Sequence, residues 1–251
     1  MLTYASITIN IFYIKQPFGF SYLWCMKQLL IISATPFEVA GVQAYLDTCG
    51  MPDEMGWYCI GHWKIRMVCT GIGLVATTYN LTRMVMQERP DFVLQLGIAG
   101  VLEPTIPLGT TVWVKDDLIA DLGARDQEGN LLNLLAMGLS DSSAVLLKSN
   151  PIQELIPQID RLPKALGLSV NQITGNPEDA TIHIQQMLYD CHIESMEGAA
   201  MHYVCNELDI ANLQLRSISN YIEPRDKSHW QMKDAIDNLN GFTISLLENI
   251  S

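Results

Sequence analysis

Basic residues are scarce in this sequence. Its 251 residues include 15 lysines and arginines against 27 aspartates and glutamates, so the formal net charge is −12. Nucleic acids and anionic membrane surfaces are held by basic patches, and the composition therefore argues against both as partners. A phosphate-bearing ligand would need a local site built from backbone N–H groups.

Spacings typical of metal sites and redox pairs are lacking too. No two of the six cysteines form a CxxC pair, and neither an HExxH nor a GxSxG motif occurs. A structural zinc site, a thioredoxin-like pair and an α/β-hydrolase elbow are therefore not expected. The cysteines are expected to pack as small apolar groups in a reducing compartment, which predicts a cytoplasmic protein.

A long uninterrupted apolar run is also missing. The first 25 residues are apolar and aromatic, but Lys15, Pro17 and Gly19 break every stretch that could span a bilayer. No basic segment precedes them, as a secretory signal would require. We expect translation to start at Met26, with residues 1–25 an extension outside the fold and residues 26–251 the folded domain. An anchoring extension is the alternative.

The rest of the chain alternates between strand-length apolar runs and helical patterns, with no repeat and no Gly-, Ser- or Pro-rich linker. Several runs are almost wholly apolar, as in strands that helices cover on both faces. The sequence predicts one three-layer α/β/α domain with a mixed, mostly parallel central sheet. Strands are predicted at Gln28–Ser33, Trp57–Ile60, Lys64–Thr70, Phe92–Leu96, Thr111–Lys115, Ser169–Thr174, around Ile193 and at Asn212–Ser219. Helices are predicted at Pro36–Leu46, Leu74–Gln87, Glu178–Tyr189, Met196–Leu208 and Lys233–Leu247.

Ligands of such sheets bind at the carboxyl ends of the strands, so residues that follow strands come first. The segment 71–76, GIGLVA, matches the GxGxxG/A dinucleotide fingerprint. The fingerprint also needs an acidic residue at the end of the next strand, whereas Asp91 lies at the beginning of Phe92–Leu96. A tight strand-to-helix turn is therefore favoured over a nucleotide-cofactor site.

Three polar segments follow other predicted strands. Thr35 and Glu38 form a capping box around Pro36, although a carboxylate there could also act as a general base. Glu197 lies in the first turn of a predicted helix, where the positive end of the helix dipole stabilises a negative charge. Ser219 and Asn220 lie where a strand is predicted to run out into a polar turn that exposes both residues. Each segment has an ordinary structural explanation when taken alone.

Taken together and in order, these segments resemble the nucleoside phosphorylase/nucleosidase superfamily from Met26 to the C-terminus. The similarity is greatest to its hydrolase branch, which contains methylthioadenosine/S-adenosylhomocysteine nucleosidases and futalosine hydrolases. Residues 194–200 (ESMEGAA) and 218–225 (ISNYIEPR) favour the futalosine hydrolases. The segments that carry the resemblance to the superfamily are Ala34 to Glu38-Val39, Gly71-Ile72-Gly73, Gly97-Ile98-Ala99-Gly100, Met196-Glu197 and Ser217-Ile218-Ser219-Asn220.

The resemblance implies a role for each matching residue. Glu38 would activate the attacking water, and Met196 with Glu197 would hold the ribose. Ser219 would also contact the substrate, beside Asn220 at the leaving base. Ile98, Ala99 and Gly100 would line the sugar and base. The resemblance further implies a homo-oligomer, a dimer or tetramer with its active site near a subunit interface, and a reaction that needs no metal or cofactor.

Asn220 is the main departure from adenine-cleaving nucleosidases, which have an aspartate at this position. An amide cannot give up a proton as an acid, but it can donate hydrogen bonds to the N7 and O6 acceptors of a 6-oxopurine. The resemblance thus favours hydrolysis of futalosine to hypoxanthine and dehypoxanthine futalosine, a step of menaquinone synthesis. Asparagine can also bind adenine, so an adenine-specific nucleosidase stays open.

Two other functions are weighed against hydrolysis. A phosphorylase would need a cationic phosphate site, and Arg66, Arg83 and Arg125 do not adjoin a glycine loop after a strand. A non-catalytic nucleoside-binding protein would have little need for both Glu38 and Glu197. The pocket for the sugar's 5′ substituent is expected to include parts of Gly123–Asn130 and Tyr221–Trp230.

Overall fold

A mixed β-sheet carries the fold. The computed structural model describes residues 26–140, 146–175, 189–224 and 226–250. The strands are β1 (Lys27–Ser33), β2 (Tyr58–Ile60), β3 (Trp63–Cys69), β4 (Phe92–Val101), β5 (Thr111–Ile119), β6 (Gly123–Arg125), β7 (Leu131–Asn133), β8 (Leu147–Lys148), β9 (Lys164–Ser169), β10 (His192–Ser195) and β11 (Ala211–Tyr221). Strands β6 and β7 form a separate hairpin.

Both parallel and antiparallel pairs occur in the main sheet. Strand β1 is parallel to β3 and β4, β4 is parallel to β11, and β9 is parallel to β5 and β10. Strand β5 runs antiparallel to β11. The carboxyl end of β4 also pairs with β10, with Val101 opposite Ile193, and this pairing closes a circuit of five strands.

Helices cover the sheet on two sides. They are α1 (Ala40–Cys49), α2 (Leu74–Gln87), α3 (Ile156–Ile159), α4 (Gly198–Glu207) and α5 (Met232–Ile250). Successive side chains of a strand point to opposite faces. On β1, Leu29 and Ile31 accordingly pack in a core cluster with α1 and α5, whereas Leu30 and Ile32 pack in one with α2 and α4. The predicted α/β domain, with a mixed central sheet between helical layers, is confirmed.

Several predicted boundaries differ from the observed ones. The helix predicted from Pro36 begins as a 3-10 turn, Pro36–Val39, and becomes α-helical at Ala40. A strand was expected at Ser169–Thr174, but β9 ends at Ser169. The buried run covers residues 165–170 and lies mostly before the predicted strand, and the backbone N–H of Asn171 donates to the side chain of Asp121. The helix predicted at Glu178–Tyr189 lies almost wholly outside the described residues. None of the helices in the described ranges has the length and apolar character that a membrane crossing requires.

A β-bulge shapes the carboxyl end of β11. Ile218 lies opposite Ala99 and Asn220 lies opposite Gly100, so Ser219 is an extra residue in the strand. The prediction of a strand running out into a turn that exposes Ser219 is wrong, because β11 continues to Tyr221 and Ser219 is buried. Bulges re-aim side chains, and this one changes the direction of Asn220 beside β4.

Candidate active site

One cavity of about 400 Å³ lies at the carboxyl ends of β1, β4, β10 and β11. This edge of an open α/β sheet is where ligands usually bind. All eight residues that the sequence assigns to catalysis or substrate binding line this cavity: Glu38, Ile98, Ala99, Gly100, Met196, Glu197, Ser219 and Asn220. They come from four separate parts of the chain, and the sheet brings them together.

Glu38 is held from two sides. Its Oε2 accepts hydrogen bonds from the backbone N–H of Thr35 at 3.0 Å and from the Thr35 hydroxyl at 2.9 Å, which completes the capping box. Its Oε1 lies 3.2 Å from the backbone nitrogen of Ile98 on β4. The side chain is buried but lines the cavity. The cap therefore fixes a carboxylate at the point where a general base would be needed.

Glu197 precedes helix α4 and faces the same cavity. Its Oε1 accepts from the backbone N–H of Gly73 at 3.0 Å. Gly71 and Gly73 have φ values of 87° and 91°, a left-handed conformation that favours glycine. The GIG segment is thus a tight turn that presents an N–H group to a carboxylate of the protein.

Arg216 is a member of this site that the sequence analysis missed. Its two terminal nitrogens each lie 3.4 Å from Oε2 of Glu197, and Nη1 also donates to the Ile98 carbonyl at 3.3 Å. The guanidinium is almost fully buried. The available signal was an arginine inside the predicted strand Asn212–Ser219, since arginine is almost never buried without a partner.

The amide of Asn220 is oriented by its neighbours. Its Oδ1 accepts from the Ser219 hydroxyl at 2.8 Å, and its Nδ2 donates to the Tyr221 carbonyl at 2.9 Å. An amide nitrogen carries two hydrogens, so one N–H remains to donate to a ligand. The bulge and these two bonds make the amide a hydrogen-bond donor at the cavity wall.

The cavity is acidic and otherwise largely apolar. Glu38, Glu194 and Glu197 are buried around it, and its lining within the described ranges contains no lysine or arginine. Glu194 accepts from the backbone N–H of Thr174 at 2.8 Å and from the Thr174 hydroxyl. Burial raises the pKa of Glu194 against these two hydrogen bonds. Such surroundings favour a neutral ligand or one that develops positive charge.

Only one of the two segments that were expected to contribute to the 5′ pocket lines the cavity. Tyr221, Ile222, Glu223 and Trp230 line the cavity, in agreement with the segment Tyr221–Trp230. The segment Gly123–Asn130 does not line it, because it belongs to the β6–β7 hairpin. Apolar side chains from other elements also line the cavity: Phe37, Ile72, Ile173, Met232 and Ile236. They lie far apart in the sequence, so no single segment indicates this wall.

Comparison with known proteins identifies the family. The model of the phosphorylase superfamily matches residues 28–250, and the chain belongs to that superfamily. It is 29% identical to a futalosine hydrolase of Thermus thermophilus over 68% of this chain and 75% of that protein. A 5′-methylthioadenosine/S-adenosylhomocysteine nucleosidase of Tolumonas auensis is 23% identical over 76% of this chain and 83% of its own length.

A solved structure shares the fold. The futalosine hydrolase of Helicobacter pylori superimposes with a TM-score of 0.69 at 17% identity, covering 89% of this chain and 98% of the other.

Gly97 offers a direct test of the site's packing. A Cβ atom there would lie 2.2 Å from Nη1 of Arg216 and 3.0 Å from Oε1 of Glu38. We expect Gly97→Ala to displace the guanidinium and to lower the free energy of unfolding by about 1–3 kcal/mol, as overpacking does. Urea denaturation measures this change.

Gly241→Ala is the matched control for this substitution. Gly241 lies in α5 and an added Cβ would meet nothing within 4 Å. Alanine there should stabilise the protein by roughly 0.5–1 kcal/mol. Equal stability of Gly97→Ala and the native chain would contradict the described packing.

Proposed function

We propose that this chain hydrolyses the N-glycosidic bond of futalosine, releasing hypoxanthine and dehypoxanthine futalosine. The observation that carries the proposal is the convergence of Glu38, Glu197 and Asn220 on one cavity. The T. thermophilus relative, a futalosine hydrolase, supports this choice of substrate. The reaction would be a step of menaquinone synthesis.

In the proposed reaction, the C1′–N9 bond stretches first and leaves an oxocarbenium-like sugar. The buried carboxylates around the cavity stabilise this positive charge. Glu38 takes a proton from a water molecule as the water oxygen bonds to C1′. The electron pair of the broken bond leaves with the purine, which becomes hypoxanthine when a proton from solvent adds to it. Positioned proton transfer of this kind contributes roughly 10²–10⁴-fold to the rate.

Glu197 would accept hydrogen bonds from the ribose hydroxyls. Gly73 and Arg216 hold its carboxylate from behind, so its orientation is set before the substrate arrives. Preorganised groups of this kind stabilise the transition state without reorganising during the reaction. Met196, Ile98, Ala99 and Gly100 would surround the sugar and base.

Hydrolysis is favoured over phosphorolysis by the charges of the site. Phosphate would enter a cavity with three buried carboxylates and no lysine or arginine in its described lining. Phosphate and these carboxylates are all negatively charged, and like charges repel each other strongly in a cavity from which water is excluded. Arg216 is already bonded to Glu197, while Arg66, Arg83 and Arg125 do not line the cavity.

The orientation of Asn220 supports hypoxanthine as the leaving base. Its free N–H can donate to N7 or O6, both of which are acceptors in a 6-oxopurine. Charge that grows on the departing base would strengthen this bond. The alternative is cleavage of an adenine nucleoside, as in the T. auensis relative.

A homo-oligomer, a dimer or tetramer, and a cytoplasmic location are part of the proposal. Helix α2 exposes Val75, Tyr79 and Met86, and exposed Ile72 connects this apolar face to the cavity. Exposed apolar patches mark interaction sites. The five cysteines in the described ranges are free, which is consistent with a reducing compartment.

Replacing the proposed base tests the mechanism. Glu38→Gln should keep one acceptor for the cap but cannot accept a proton. We expect kcat for base release to fall roughly 10²–10⁴-fold with a smaller change in KM. Glu154→Gln, on the exposed 3-10 turn Gln153–Leu155, is the matched control. A Glu38→Gln variant with full activity would refute the mechanism.

A substrate panel tests the leaving base. Purified protein is incubated with futalosine, inosine and methylthioadenosine, and free base is measured by chromatography. The proposal predicts hypoxanthine from futalosine alone, and Asn220→Asp should lower that rate while favouring adenine nucleosides. Adenine released from methylthioadenosine by the native chain would support the alternative instead.

The apolar face of α2 predicts an interface. Light scattering should give the mass of a dimer or tetramer. Tyr79→Glu should weaken association at least about tenfold, which corresponds to a loss of about 1.4 kcal/mol of association free energy. Met51→Glu, at another exposed apolar residue, should not change the mass. A monomeric native chain, or equal effects of both variants, would contradict this assignment.

A further inference from the structure

Behind Arg216 lies a buried polar chain that the proposed reaction does not use. Gln214 on β11 and Asp117 on β5 are both fully buried. The Gln214 amide satisfies both of its ends in one orientation, in which Oε1 accepts from Nε of Arg216 at 3.0 Å. In that orientation Nε2 donates to Oδ2 of Asp117 at 3.0 Å and to Nε2 of His202 at 2.9 Å.

The histidine fits this direction of hydrogen bonding. Burial lowers the pKa of His202 to about 4, so the ring is neutral at pH 7. Its Nδ1 lies 2.8 Å from Oδ1 of Asn212 and can donate to it, which leaves Nε2 as the acceptor that Gln214 needs. Every group from Arg216 to Asn212 is therefore matched in only one order of donors and acceptors.

A second path leads from Asp117 to the backbone beside Glu197. Oδ1 of Asp117 accepts from the Ser169 hydroxyl at 2.9 Å. The Ser169 oxygen in turn accepts from the backbone N–H of Ala199 at 2.8 Å. Ala199 is two residues beyond Glu197, so this path connects Asp117 to the first turn of the helix that Glu197 precedes.

The chain leaves room for this carboxylate at two glycines. A Cβ atom on Gly198 would lie 2.0 Å from Oδ2 of Asp117, and one on Gly167 would lie 2.3 Å from it. Both glycines adopt conformations open to other residues, so space and not backbone torsion requires them. This gives the glycine of the segment ESMEGAA a physical reason.

We propose that Asp117 is a positioning residue, which orients Glu197 through Gln214 and Arg216 on one path and through Ser169 and Ala199 on the other. The proposal rests on the proposed function, because it assumes that Glu197 binds ribose hydroxyls. Asp117 itself does not line the cavity and contacts no substrate.

The cost of burying Asp117 argues for such a role. Burial raises the pKa of Asp117 to about 7, although bonds from Ser169 and Gln214 and the charge of Arg216 act to lower it. A fully buried ionisable group seldom adds stability over a neutral side chain of similar shape. A carboxylate here instead supplies two acceptors where an amide would supply one acceptor and one donor pair.

Asp117→Asn tests the donor–acceptor order. Its amide can turn either end towards Gln214. With NH₂ towards Gln214 two NH₂ groups face each other, and with the oxygen towards Gln214 the Ser169 hydroxyl loses its acceptor, so one of the two paths is broken in either orientation. We expect kcat/KM for futalosine to fall on the order of 10–100-fold, in line with other shells that orient a site. The 2′-deoxy analogue should lose much less, so the ratio of the two kcat/KM values should fall.

A rescue variant and a control separate positioning from stability. In Asp117→Asn/Gln214→Glu the new carboxylate can accept from Arg216, from the new amide and from the other tautomer of His202. We expect it to regain much of the lost ratio. Ile65→Ala, in the buried core of β3, should lower the melting temperature and keep the ratio.

Each outcome decides between the two proposals. A folded Asp117→Asn protein with an unchanged ratio, or with equal losses on both nucleosides, overturns the positioning role. If Asp117→Asn does not fold, Ser169→Ala is measured by the same ratio and judged in the same way. If the native chain releases no base, the proposed function fails. The positioning role is then judged by calorimetric binding of futalosine and its 2′-deoxy analogue.

Discussion

The ion pair between Arg216 and Glu197 is the interaction on which the site depends. Both side chains are buried, and neither charge could stay there without the other, because an unpaired buried charge destabilises a protein by several kcal/mol. The pair connects β11 to the start of α4. The position of this ion pair sets the direction in which the Glu197 carboxylate faces the cavity. The neighbouring groups pack around the pair.

Several local features are explained by that pair. Gly97 has no side chain because Arg216 and Glu38 meet over its Cα. The glycine turn at residues 71–73 bends so that the N–H of Gly73 reaches Glu197. Gln214 accepts a hydrogen bond from Nε of the guanidinium and donates one to Asp117. The Arg216 guanidinium thus forms hydrogen bonds both to groups at the cavity, Glu197 and Ile98, and to Gln214 in the buried interior.

Much of the fold follows from local pattern. The largely apolar strands β1 and β4 predict a sheet covered on both faces, and helix Leu74–Gln87 is found at its predicted bounds. The capping box at Thr35 and Glu38 is also present, and it lies in the cavity wall. The cap holds the carboxylate in the cavity wall, so the structural explanation of this motif is compatible with the proposed role of Glu38 as a general base.

What local pattern does not predict depends on long-range contacts. No residue pattern near Arg216 in the sequence predicts Glu197 as its partner, since the two side chains come together only when the helix α4 packs against the sheet that contains β11. The bulge at Ser219 depends on how β11 pairs with β4, and no local turn signal encodes that register. The apolar wall of the cavity likewise gathers single side chains from distant elements.

The identity of the nucleophile tests the account most directly. The native chain is incubated with futalosine in ¹⁸O-labelled water, with and without inorganic phosphate, and the released sugar is examined by mass spectrometry. The account predicts one ¹⁸O atom at C1′ and a rate of hypoxanthine release that does not depend on phosphate. A sugar 1-phosphate without the label, formed at a rate that rises with phosphate, would contradict it.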